Sequence, residues 1–344
     1  MTTTAAPDVL AIAMQLMATE STTGNEGRVI GVAERILLDI GWNVRRIPVT
    51  PGRDNLLAYG TTPTDVILST HLDTVPPYHP PQIDGERLTG RGACDAKGIA
   101  AAMICAATAL RDDGVRAGVL LVVGEEAPHD GARAANTVRN SCKVLINGEP
   151  TESKLATGTK GALRCTITTR GRAAHSAYPD LGVSATANLV ALLGELPTLA
   201  LPTHPLLGAT TINIGMLSGG VADNVVAPSA TARLMVRLVT PSAEMIALLQ
   251  QWLGRRAEFR VETEVQPVLL GSVQGFETDV VAYATDVPEL SNWGTPYLFG
   301  PGSIHVAHTD HEFIEIAELR AAVGAYGRLA RAALAAADGS GSCM

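Results

Sequence analysis

The sequence predicts an α/β protein in two parts, a mostly parallel sheet with helices and, inserted into it, a split βαβ module. Three observations predict this. Short apolar runs bounded by turns, such as Val119–Val123, have the pattern of strands buried on both faces, as in parallel sheets. From Gly161 to Val265 the pattern becomes a two-residue alternation. Leu163, Cys165 and Ile167 are set against Arg164, Thr166 and Thr168, as in a sheet with one wet face. The buried-strand style then returns at Pro296–Phe299, so the alternating segment is inserted rather than appended. The expected division is 1–160 with 267–344 for the first part and 161–266 for the insert.

The elements follow in order. Residues 8–18 and 26–40 carry helix-spaced apolar residues, with Val29, Val32, Ile36 and Ile40 as one stripe and Gly41 as the stop. Asn55–Tyr59 and Asp65–Thr70 read as strands, and the second runs into HLDTVPP, placing His71 and Asp73 past its end. The loop LTGRGACDAKG follows, with Asp95 near the start of an Ala-rich helix ending at Leu110. Its glycines fit neither GxGxxG nor GxxxxGK[ST], which sets aside nucleotide binding. The run GVLLVV ends in Glu125 and Glu126, adjacent acids that repel unless a proton or cation lies between them. After a helix at Ala132–Arg139, Val144–Ile146 ends in NGEPT and delivers Glu149. Three buried strands thus bring His or carboxylate to the carboxyl edge of the sheet, where α/β proteins collect their functional groups.

In the insert, a helix carries Leu189, Leu192, Leu193 and Leu196 on one side. Strands at Thr210–Ile214 and Ala230–Val239 flank the turn SGGVADN. A helix at Pro241–Gly254 and a strand through Phe259, Val261 and Val265 complete a ferredoxin-like split βαβ. Gly158–Gly161 and Pro267 are natural hinge points for a lid. The chain closes with GPGSIHVAHTDHEF, a helix over Ile314–Ala336 and a GSGSCM tail that reads as frayed.

Composition narrows the classes. The 344 residues are 46% hydrophobic and 17% charged, enough for two globular domains. Aromatics make up 4%, so Ala, Val, Leu and Ile must build the core. A net charge of −8 without a Lys/Arg cluster speaks against nucleic acid. The N-terminus lacks a basic region followed by an apolar one, and the stretch Ile99–Ala107 falls short of the ~20 residues of a membrane span. Neither a signal peptide nor membrane association is expected. The five cysteines, Cys94, Cys105, Cys142, Cys165 and Cys343, are odd in number and lack CxxC pairing, which suits reduced thiols in the cytoplasm.

HLDTVPP, GRGACDAKG, VVGEEA, NGEPT, GRAAHSAYP and GPGSIHVAHTDHEF occur here in the order seen in the M20 metallopeptidases, which the chain resembles throughout. That group includes acetylornithine deacetylase, succinyl-diaminopimelate desuccinylase, aminoacylase and glutamate carboxypeptidase. The resemblance implies a zinc-peptidase-like catalytic domain with an inserted lid and dimerisation domain. It also implies two divalent metal ions, usually zinc, with cobalt or manganese compatible with the same ligands. Asp95 would bridge both ions, with Glu126 and His308 completing one and His71 and Glu149 the other. His305 competes with His308 as the last ligand; AHT followed by an acid, Glu312, favours His308. Glu125 is then cast as general base and Asp73 as the partner of the second His71 ring nitrogen. His175 would steady the oxyanion across a homodimer interface. Asn224 and Arg237 would contact substrate, although Met235 stands where the family usually has an acid. The resemblance further implies a cis peptide between Asp95 and Ala96. His79, His129, His204, His305 and His311 are otherwise assigned to surface or satisfied positions.

The resulting expectation is a di-metal amidohydrolase cleaving a small N-acyl amino acid, as a deacetylase, desuccinylase or aminoacylase does. The runner-up is an aminopeptidase, carboxypeptidase or dipeptidase of the same family. A non-catalytic binding protein on this scaffold would be expected to have lost Glu125 or a ligand, and this chain has lost none.

Overall fold

The computed structural model describes residues 6–60 and 63–340, which form two compact units. The first comprises 1–157, 270–279 and 285–344, and the second 158–269 with 280–284. The insert thus begins at Gly158 and ends its main stretch at Leu269, slightly outside the limits expected from sequence. The reason is pairing: Thr159 and Gly158 lie antiparallel to Val268 and Leu269 where the chain enters and leaves.

In the first unit the strand order is Asn43–Thr50, Arg53–Tyr59, Ala117–Val122, Val66–His71, Val144–Asn147, Thr295–Leu298 and Leu155–Thr159. The four strands from Ala117–Val122 to Thr295–Leu298 run parallel, and their outer neighbours pair antiparallel. Both faces of the centre are buried, and successive residues enter different cores. Val66, Leu68, Val119 and Leu121 join a core with the helices Val9–Met17, Lys97–Asp112 and Ile316–Ser340. Ile67, Leu120 and Val122 join another with Ala132, Ala135 and Trp293.

The helix Gly27–Asp39 buries Val29, Ile30, Ala33, Ile36 and Leu37, while Val32 and Ile40 of the expected stripe are only half-buried. Its stop is as read: Gly41 takes φ 84°, where a side chain would be strained. The strand Asn43–Thr50 went unforeseen because it is an edge strand with Ile47 as its one buried residue. The last helix extends to Ser340, so Gly339–Ser340 of the supposed tail are helical. Cys343 and the rest of that tail lie outside the described residues.

In the second unit the strands run Thr211–Gly219, Ser229–Leu238, Gly161–Arg170 and Glu258–Val265 across the sheet, all antiparallel. With helices Ala185–Glu195 and Ser242–Leu253 in sequence between them, this is the ferredoxin-like split βαβ. Leu163, Cys165, Leu234 and Val236 face those helices.

Candidate metal centre

The parallel strands end side by side, and their last residues carry the polar groups. His71 closes one strand, Glu125 and Glu126 follow the next through a turn, and Glu149 lies just beyond a third. Asp95 arrives from the loop before the helix Lys97–Asp112, joined to Ala96 by a cis peptide bond. His308, in the left-handed region at φ 64°, comes from the C-terminal segment.

Two groups of donor atoms result, and they share Asp95. Atoms of His71, Asp95 and Glu149 lie within 4.8 Å of one another, as do those of Asp95, Glu126 and His308. His71 Nε2 is 3.0 Å from Asp95 Oδ1, and His308 Nε2 is 3.2 Å from Asp95 Oδ2 and 2.9 Å from Glu126 Oε1. Glu149 Oε1 is buried without a partner. Two imidazoles and three carboxylates, one of them with an orphaned buried oxygen, are a donor set that fits a pair of divalent ions. His305 is exposed and belongs to neither group.

The electrostatics show strain that positive charge would relieve. Burial pushes Glu125 well above the usual carboxylate range, and Glu149 adds to the push. Burial, with Asp95 nearby, does the same to Glu149. Burial disfavours a charged His71, yet hydrogen bonds to Asp73 and Asp95 hold the ring well above its ordinary range. Asp95 and Glu126 raise His308 to about 10.

The supporting residues are as specific as the donors. His71 Nδ1 donates to the main-chain carbonyl of Asp73 at 2.9 Å, with the Asp73 carboxylate farther off at 3.4 Å. That carboxylate, expected to hold the ring, also accepts the main-chain N–H groups of Glu125 and Glu126 at 3.1 and 3.2 Å and the Thr23 hydroxyl at 2.9 Å. Glu312 Oε1 accepts N–H groups from Gly92, Cys94 and Asp95, and Oε2 pairs with Arg91 at 2.7 Å.

Glu125 belongs to neither donor group but to a third with His129 and Asp286. His129, read from sequence as surface or satisfied, is half-buried and 2.8 Å from the buried Asp286. Asp286 was not singled out, since nothing local in ATDVPEL marks it. The remaining expected residues lie in the second unit. His175 and Asn224 are exposed and adjacent: Ser176 N–H donates to the Asn224 carbonyl at 2.9 Å, and His175 bridges to Val225. Arg237 is half-buried in the strand Ser229–Leu238.

Residues 67–332 match the model of peptidase family M20/M25/M40. The chain belongs to this family. An M20 domain-containing protein of Schizosaccharomyces pombe is 38% identical over 339 residues, covering 94% of this chain and 84% of the relative. A probable carboxypeptidase of Aspergillus flavus is 38% identical, covering 82% and 76%. Among solved structures, a Staphylococcus aureus tripeptidase superposes with TM-score 0.80 at 19% identity, covering 95% of this chain and 98% of that one. A Sulfolobus solfataricus carboxypeptidase gives 0.75 at 15%, covering 95% and 99%. These structures share the fold of a catalytic domain with an insert. The M20 chain is therefore a hydrolase of peptide or amide bonds, and no described helix is long and apolar enough to cross a membrane.

Proposed function

We propose that this M20 hydrolase is a di-metal amidohydrolase acting on N-acyl amino acids or short peptides that carry a free carboxylate. The observation that supports it most is the pair of donor groups sharing Asp95, with Glu125 beside them and outside both. His71, Asp95 and Glu149 would hold one ion and Asp95, Glu126 and His308 the other, with zinc the first choice and cobalt or manganese next. When bound, such ions acidify water and polarise a carbonyl.

The chain's own residues do the rest. Glu125, buried and free of the donor groups, takes a proton from the attacking water and passes it to the leaving nitrogen. Asp73 fixes the turn that presents Glu125 and Glu126, and its carbonyl orients His71. His175 supplies a donor to the developing oxyanion from a second subunit, and Asn224 and Arg237 contact the substrate. The homodimer forms through the inserted unit, whose edge strand exposes Ile214, Met216 and Leu217 at 43%, 60% and 56%. The described cysteines are free thiols, which suits the cytoplasm. The relatives named as carboxypeptidases support a second reading, cleavage of a C-terminal residue from a peptide.

The test is a hydrolysis screen of N-acetyl and N-succinyl amino acids, dipeptides and tripeptides, after chelation and after restoring each metal. Activity should vanish and return with metal. Full activity in metal-free protein, or hydrolysis of none of these substrates, overturns the proposal.

A further inference from the structure

The third donor group, Glu125, His129 and Asp286, lies wholly in the first unit and stands apart from the two groups that share Asp95. It nevertheless carries both of their marks. An imidazole nitrogen sits against a carboxylate oxygen, with His129 Nδ1 at 2.8 Å from Asp286 Oδ1. His71 stands to Asp95 in the same way at 3.0 Å, and His308 to Glu126 at 2.9 Å. A buried carboxylate oxygen is left without a partner, Asp286 Oδ2 here and Glu149 Oε1 there. Donor atoms of all three residues lie within 4.8 Å of one another.

The donors are held in advance. His129 takes a left-handed φ of 63°, and its N–H closes the turn onto the Gly124 carbonyl at 2.7 Å. A non-glycine residue keeps that conformation only where its surroundings enforce it. Asp286 precedes the short helix Val287–Leu290, and two contacts tie that segment to the helix following His129. Glu289 pairs with Arg133 at 3.5 Å, and the Asn292 N–H donates to the Asn136 side chain at 2.8 Å. Donors fixed beforehand bind with little reordering. The His129 side chain is 20% exposed, which leaves an ion an entry from solvent, while that of Asp286 is 1% exposed.

We propose that Glu125, His129 and Asp286 form a third divalent-cation site, weaker than the pair, through which excess metal inhibits the enzyme. One imidazole and two carboxylates suit zinc, cobalt or manganese. The weakness follows from charge. Cations on the neighbouring groups repel a third, and the incoming ion must displace the proton between His129 and Asp286. The inhibition follows from Glu125, whose carboxylate, once held by a cation, is no longer available to take a proton from water. That consequence rests on the amidohydrolase reading; the binding does not.

The test counts zinc on the full chain. Equilibrium dialysis across rising free zinc should give three ions per wild-type chain. The last should bind at least about tenfold more weakly than the others and leave on dialysis into metal-free buffer. His129→Asn, with a residue that tolerates the left-handed turn, and Asp286→Asn should each keep two ions and weaken the third about tenfold or more. Retention of two ions shows that a variant has folded. In hydrolysis assays, excess zinc should lower wild-type kcat by about a hundredfold, and either variant should remove most of that loss. A wild type that saturates at two ions or fewer overturns the site. So does a third ion that binds both variants as tightly as wild type, or loss of every ion in both. Zinc inhibition that persists unchanged in both variants overturns the inhibitory role. If no amide is cleaved while the third ion binds wild type and escapes both variants, the amidohydrolase reading falls and the site stands.

Discussion

Glu312 meets no metal-donor atom and touches Asp95 only at its main-chain N–H, yet its removal should weaken the centre more than any other change outside the donor set. Its carboxylate gathers the N–H groups of Gly92, Cys94 and Asp95 at 3.0, 3.2 and 3.2 Å and pairs with Arg91 at 2.7 Å. Both partners of the pair have only 1% of their side chains exposed. Glu312→Ala leaves a buried guanidinium without its counter-charge, a loss of ~3–5 kcal/mol. The three N–H groups add to this unless the loop loosens and lets water in. Against a net stability of ~5–15 kcal/mol, that is a large share. Urea unfolding of metal-free protein should show the loss as a midpoint lower by about 1–2 M. Arg91→Met removes the other charge, so the double variant should lose about 2 kcal/mol less than the sum of the singles. Because Asp95 sits in the same loop, Glu312→Gln should also weaken metal binding about 10–100-fold. An unfolding midpoint for Glu312→Ala indistinguishable from wild type, or strictly additive single variants, would refute this reasoning.

Glu125→Gln should lower kcat by about 10²–10⁴ while metal content stays at the wild-type value, whereas Glu126→Gln should lose metal. Elemental analysis beside single-turnover kinetics separates the two, and equal metal loss in both would end the distinction between base and ligand. His308→Ala should lower bound metal and His305→Ala should not, as equilibrium dialysis would show. Chelation should lower the melting temperature, and restored metal should raise it again in a concentration-dependent way, because the ions bind the folded state alone. Met216→Asp with Leu217→Asp should give a monomer in sedimentation equilibrium; a persisting dimer would move the interface elsewhere.

The parts legible in the sequence were those written in local pattern. Val119–Val123 and Val144–Ile146 announce buried strands because every residue is apolar, and the acids after them announce the carboxyl edge of the sheet. The insert declares itself through the change of period at Gly161. What stayed hidden depends on partners distant in the chain. The edge strand Asn43–Thr50 has Arg45 and Arg46 where an apolar residue would have betrayed it, and Arg46 is there to meet Glu34 and Asp54. Arg53 ties Glu26 to Asp130, and Asp286 meets His129, across separations that periodicity cannot register. The further duty of the Asp73 carboxylate could not be assigned from HLDTVPP alone, since the N–H groups it accepts, those of Glu125 and Glu126, lie in the turn after another strand.

That last arrangement explains how two adjacent glutamates can take different duties. On a regular strand, neighbours point to opposite faces, and one of the pair would turn away from the edge. Here the strand ends first, and a turn closed by the His129 N–H to the Gly124 carbonyl at 2.7 Å carries both acids. Gly124 takes φ 71°, where a side chain would be strained, and a Cβ there would press on the side chains of Asp130 and Arg53, so glycine suits the point where the turn leaves the sheet. Asp73 then grips both Glu125 and Glu126 by their main-chain N–H groups, one on each carboxylate oxygen. Neither side chain is used up in holding the turn, and Glu126 meets His308 while Glu125 lies beside His129 and Asp286. The separation of roles between the two acids is thus a property of the backbone that bears them, set by a carboxylate delivered from the neighbouring strand.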